Sequence, residues 1–152
     1  MILVTFPEMR PLAEDLAPAI GAELRELDWH RFPDGESLMT LPGDLDGADV
    51  ALLATLRNPD HHALPLRFAA ATAREMGARR VGLIAPYLGY MRQDRRFETG
   101  QAVSAPLFAQ FLGESFDWLV TVDPHLHRID LLLLQLTEKE HFFLDKSAHA
   151  LG

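Results

Sequence analysis

Val120-Thr-Val-Asp-Pro-His-Leu-His127 is the stretch on which the reading of this chain turns. An apolar run carries the backbone into a core and then ends abruptly in Asp123, His125 and His127. A parallel strand delivers side chains in this way to the carboxyl edge of an α/β sheet, where such folds place their sites. One carboxylate and two imidazoles at that edge can bind a metal ion, move a proton or hold a phosphate. A turn with a helix-capping aspartate and two surface histidines would use the same letters, so the rest of the chain has to decide.

Working outward, short β-type runs alternate with helical segments. Residues 2–6, 50–54, 81–85 and 118–122 are near-continuous apolar runs that read as buried strands. Pro11 suits a first helical turn, with Leu12, Leu16 and Ile20 at i, i+4 and i+8, and Pro18 predicts a kink or an early stop. An Ala-rich helix is expected at about 64–76. Ser104 can cap a further helix, with Pro106 in its first turn and Leu107, Phe108, Phe111 and Leu112 buried. Between the first helix and residue 50, Leu27, Trp29 and Arg31 alternate with polar neighbours like a half-buried strand, and 38–41 reads as a second short strand closed by Pro42-Gly43. Together these predict an α/β fold, a mainly parallel sheet flanked by helices on both faces. The segment 118–122 is the last strand expected. Residues 131–134 fit a helix start or a buried strand equally well. With no further strand expected, a doubly wound domain closing at Gly152 looks clipped.

Composition narrows the classes. The 152 residues suit a single domain, with 48% hydrophobic and 24% charged residues and a formal net charge of −8. No basic stripe is present, so nucleic acid is not an expected partner. The absence of cysteine removes disulfides and thiolate metal sites. No basic n-region or long apolar stretch is present, so neither a signal peptide nor a membrane span is expected, and a cytoplasmic location is the default.

Two more segments carry chemistry. Arg31-Phe-Pro-Asp-Gly-Glu36 contains a turn signature, but a turn requires neither the flanking Arg31 and Glu36 nor an exposed Phe32. An aromatic face beside two carboxylates could hold a planar, amine-bearing base. Pro86-Tyr-Leu-Gly-Tyr-Met-Arg-Gln-Asp-Arg-Arg96 leaves the 81–85 strand at the same sheet edge and gathers guanidinium groups suited to phosphate oxygens. The competing reading is a solvated loop with its arginines paired to Asp94 and Glu98. The P-loop, dinucleotide-binding and nucleophile-elbow patterns are all missing. His61-His62, after Asn58-Pro59, reads as a surface helix start.

Taken in order, Arg31-Phe-Pro-Asp-Gly-Glu36, Pro86-Tyr-x-x-Tyr-x-Arg-Gln-Asp-Arg-Arg96 and Val122-Asp-x-His125 resemble ribose-phosphate diphosphokinase, the phosphoribosyl diphosphate synthetase family. The resemblance runs from about residue 2 to residue 128 and covers only the amino-terminal of two similar domains of the type I phosphoribosyltransferase fold. It implies transfer of the diphosphoryl group of Mg-ATP to ribose 5-phosphate, with release of AMP. Carried over by motif, Phe32, Asp34 and Glu36 would hold adenine in the site of a neighbouring subunit of a homo-oligomer. Arg92 and Gln93 would contact ATP, while Asp123 and His125 would serve the magnesium and the triphosphate, His125 as the catalytic candidate. Magnesium prefers oxygen ligands, so Asp123 is the better direct ligand and His125 the better partner for phosphate or a bound water.

The chain departs from the family pattern in Leu126-His127-Arg128, in Phe97 where many members carry an acid, and throughout 131–152. The family's catalytic loop and ribose 5-phosphate loop belong to the second domain, which this sequence lacks, so the chain is expected to be a nucleotide half-site inactive alone. A non-catalytic paralogue that joins synthetase oligomers is the alternative. A small zinc hydrolase built on Asp123, His125 and His127 is a third reading.

Overall fold

The computed structural model describes residues 1–122 and 140–144. Strands β1 (Ile2–Thr5), β2 (Glu23–Glu26), β5 (Asp49–Leu53), β6 (Arg80–Ala85), β7 (Trp118–Val122) and β8 (Glu140–Leu144) form one sheet in the order β2-β1-β5-β6-β7-β8. Every pairing in it is parallel. Strands β3 (Asp28–Arg31) and β4 (Ser37–Thr40) form a separate antiparallel hairpin.

Helix α1 (Arg10–Ala19) packs against one face of the sheet, and α2 (Pro59–Glu75) and α3 (Ser104–Ser115) against the other. The alternation of side chains along a strand produces this division. On β1, Ile2 and Val4 join the core under α2 and α3, whereas Leu3 joins Ala13 and Ala17 of α1. The expected doubly covered α/β sheet is therefore present. Among the described residues no helix is long and apolar enough to cross a membrane.

Several expectations need correction. Of the apolar stripe on α1 only Leu16 packs, partly buried, on the core: Leu12 and Ile20 are exposed, and the fully buried positions are Ala13 and Ala17. Small side chains allow the helix to approach Leu3, Ala51 and Leu53 closely. Pro18 does coincide with an early stop, since α1 ends at Ala19 and the chain reverses through Gly21, whose φ is 64°. Strand β2 has no counterpart among the expected strands, because a charged edge strand carries little apolar signal. Ser104 is the first residue of α3 rather than its cap, and Leu107 faces outward. Helix α2 begins at Pro59, five residues before the expected start. A further strand does follow residue 122: β8 pairs in parallel with β7, Trp118 opposite Glu140.

Candidate functional site

Because β1, β5, β6 and β7 run in parallel, their connections leave from one edge of the sheet. Three of the described segments that carry chemistry stand there: the start of α2 after β5, the loop between β6 and α3, and the hairpin beside them.

The β6–α3 loop is pressed onto the connection between β5 and α2. Leu56 donates its N–H to Tyr87 O at 3.0 Å, and a Cβ on Gly89 would lie 2.6 Å from Leu56 O. Only glycine fits so close an approach. Beyond it the Tyr90 hydroxyl donates to Asp60, which holds the phenol pKa above its ordinary value. Gln93 N–H donates to Tyr90 O at 3.4 Å, and Gln93 O accepts from Ala105 N–H at 3.1 Å, fastening the segment to α3. Further on, Gln101 organises the turn. Its Oε1 accepts from the N–H groups of Phe97 and Glu98, both at 3.1 Å, while Arg96 Nε donates to Gln101 O at 2.8 Å. Phe97 is 61% exposed, with the Arg95 guanidinium over its ring at 4.7 Å. The Arg95 guanidinium thus covers an aromatic face, and Arg96 holds a backbone carbonyl of its own loop. Arg92 is exposed on the same loop.

The hairpin turn is closed by Phe32 N–H to Glu36 O and Gly35 N–H to Phe32 O, both at 2.9 Å, with Gly35 at a φ of 93°. Asp34 Oδ1 accepts from Glu36 N–H at 3.1 Å, an Asx turn. Asp34 and Glu36 line a cleft of about 580 Å³ whose opposite wall is Asp60, His61, Leu64 and Phe68 of α2. Phe32 is not in that wall. Its ring is 41% exposed and meets His30 edge-on at 4.6 Å. Neither Arg92 nor Gln93 lines the cleft. The fold thus brings Asp34 and Glu36 together against α2, leaves Phe32 outward, and keeps Arg92 and Gln93 on a separate loop. Asp123, His125 and His127 lie outside the described residues.

Below the hairpin, His61 and His62, expected at the surface, form a partly buried cluster. His62 is buried, 6% exposed, with Nε2 donating to Glu8 at 2.5 Å and Nδ1 donating to Asn58 O at 3.1 Å. Both ring nitrogens face oxygen acceptors, so the imidazolium fits the position. Burial pulls its pKa down, but the hydrogen bonds to Glu8 and Asn58 outweigh it and the net shift is upward. Burial likewise raises the Glu8 carboxyl, and the bond from His62 with its charge carries the net shift downward. His61, by contrast, is shifted down by burial and by the Arg31 charge, with Arg31 Nη1 3.0 Å from its Nε2. Trp29 of β3 packs on both imidazoles, at 4.9 and 5.3 Å, and on Phe6 at 5.5 Å, fixing the hairpin to the start of α2. A histidine pair after Asn-Pro carries no local sign of this, because Glu8 is 54 residues away in sequence.

The family model for the N-terminal domain of ribose phosphate pyrophosphokinase matches residues 1–115. The chain belongs to the ribose-phosphate pyrophosphokinase family. The ribose-phosphate pyrophosphokinase of Halobacterium salinarum is 37% identical over 124 residues, which are 82% of this chain and 44% of that protein. That of Methanopyrus kandleri is 38% identical over 125 residues, covering 82% and 43%. The match therefore covers less than half of each of these pyrophosphokinases, and the chain spans about half their length. The crystal structure of phosphoribosylpyrophosphate synthetase from Mycobacterium smegmatis superposes with a TM-score of 0.79 at 22% identity, over 95% of this chain and 49% of that one. At that identity the likeness bears on the fold, which agrees with the parallel sheet described above.

Proposed function

We propose that this chain carries the nucleotide half-site of a ribose-phosphate pyrophosphokinase: it binds Mg-ATP for diphosphoryl transfer to ribose 5-phosphate, and a second domain completes the reaction. The observation that supports this most is the family match over residues 1–115, which holds both the hairpin turn and the arginine loop. Arg92 and Gln93 are assigned to ATP. Phe32, Asp34 and Glu36 are assigned to adenine in a neighbouring subunit of a homo-oligomer, and the outward ring of Phe32 suits a partner's site better than its own cleft. Diphosphoryl transfer needs positioning and charge neutralisation more than covalent chemistry, and guanidinium groups on a short loop serve that need.

Among the described residues no group of three or more His, Asp or Glu side chains gathers to hold a metal ion. A magnesium ion held mainly by nucleotide phosphates needs only one or two protein carboxylates. By motif, Asp123 is assigned as that oxygen donor and His125 to phosphate. Magnesium would there neutralise the triphosphate charge.

Calorimetric titration with Mg-ATP tests the reading. The expected result is binding that disappears in an Arg92→Ala, Gln93→Ala variant and in an Asp123→Ala, His125→Ala variant. Binding that survives both would overturn the assignment. The short span relative to the pyrophosphokinases supports a second reading, a non-catalytic chain that joins synthetase oligomers. Co-elution with a full-length synthetase would be its signature, and two independent peaks would remove it.

A further inference from the structure

Tyr90 is the one non-glycine residue at positive φ among the described residues, with a φ of 65°. A bulky side chain in the left-handed region is strained and persists only where its surroundings over-determine it. The surroundings here are specific. On one side, Gly89 lies so close to Leu56 O and Pro59 that a Cβ there would clash, which presses the loop onto the β5–α2 connection. On the other, the Tyr90 ring rests at 5.0 Å on Phe108 of α3, and its hydroxyl reaches Asp60 in the first turn of α2. Its own carbonyl accepts from Gln93 N–H. Asp60 in turn belongs to the wall of the hairpin cleft, opposite Asp34 and Glu36. A single hydrogen bond therefore links the loop of Arg92 and Gln93 to the cleft of the hairpin carboxylates.

We propose that Tyr90 is a positioning residue for nucleotide binding: its bond to Asp60 sets where Arg92 and Gln93 stand relative to the sheet edge and the hairpin cleft. The inference rests on the assignment of Arg92 and Gln93 to ATP. A tyrosine that merely filled the groove beside Phe108 would need neither the hydroxyl nor the left-handed backbone.

Tyr90→Phe keeps the ring and the backbone and removes only the donor. It is expected to weaken Mg-ATP binding about tenfold, the effect of losing one charge-assisted hydrogen bond, while the melting temperature stays within about 2 °C, as for other exposed substitutions. Asp60→Ala should weaken binding equally, and adding it to Tyr90→Phe should weaken it no further. Asp60→Asn retains an acceptor oxygen without the charge and should fall between the wild type and Asp60→Ala. A second readout does not depend on nucleotide: trypsin should cut after Arg92, Arg95 and Arg96 several-fold faster in Tyr90→Phe than in the wild type. Wild-type affinity in Tyr90→Phe overturns the proposal, as does an equal cutting rate. If the wild type itself fails to bind Mg-ATP, the nucleotide assignment is what falls, and faster tryptic cutting still shows that the hydroxyl fixes the loop.

Discussion

Gly82 faces Trp118 across the β6–β7 ladder, and a Cβ there would lie 1.9 Å from the indole. The glycine is a packing requirement, not a turn. Gly82→Ala should cost about 3 kcal/mol, the upper part of the usual overpacking range, read as a lower urea midpoint, and Trp118→Ala should relieve part of it. Glu8 and His62 act at the same scale through charge. The carboxyl is held below its ordinary value of 4.5, so its contribution is present above that pH and is lost as the pH falls through the lowered value. The imidazole is held above its ordinary value of 6.5, so its contribution is present below that pH and is lost as the pH rises through the raised value. The pair therefore stabilises most between about pH 4.5 and 6.5. Glu8→Gln should lose about 1 kcal/mol in that window, because one partner is partly exposed and screened. Its deficit should shrink toward pH 8 and toward pH 3, as urea titrations across that range would show.

At the scale of elements, α1 and the hairpin sit on the body of the protein by different means. Helix α1 approaches the sheet through Ala13 and Ala17. Ala17→Leu should therefore destabilise by about 2 kcal/mol through overpacking, whereas an outward Leu12→Ala should change stability by no more than about 0.5 kcal/mol. Chemical denaturation of the two variants separates a small-residue contact from a leucine face. The hairpin is held by Trp29 on the histidine pair, with Met39 opposite it in register on the partly buried face. Its other face, with His30, Phe32 and Leu38, is exposed. An aromatic hairpin face turned outward is suited to a neighbouring subunit, which is the role proposed for Phe32.

At the scale of the whole molecule, the matched residues cover 44% of the Halobacterium pyrophosphokinase. On the proposed half-site reading, incubation of the purified chain with Mg-ATP and ribose 5-phosphate should leave AMP at background; stoichiometric AMP would show that the chain turns over alone. The sequence by itself determined the parallel, doubly covered sheet, since β1, β5, β6 and β7 are apolar runs and that pattern survives any packing detail. It also determined the three motifs and through them the family. Only the tertiary structure decided that His62 is a buried partner of Glu8, that Tyr90 reaches Asp60, and that α1 fully buries Ala13 and Ala17 while Leu12 and Ile20 stay exposed. It alone revealed β2 and β8, at the two edges of the sheet. The reason is physical: periodicity reports whether a residue is apolar among its neighbours along the chain. Which polar group stands opposite another, 30 or 54 residues away, is set by strand register and helix placement.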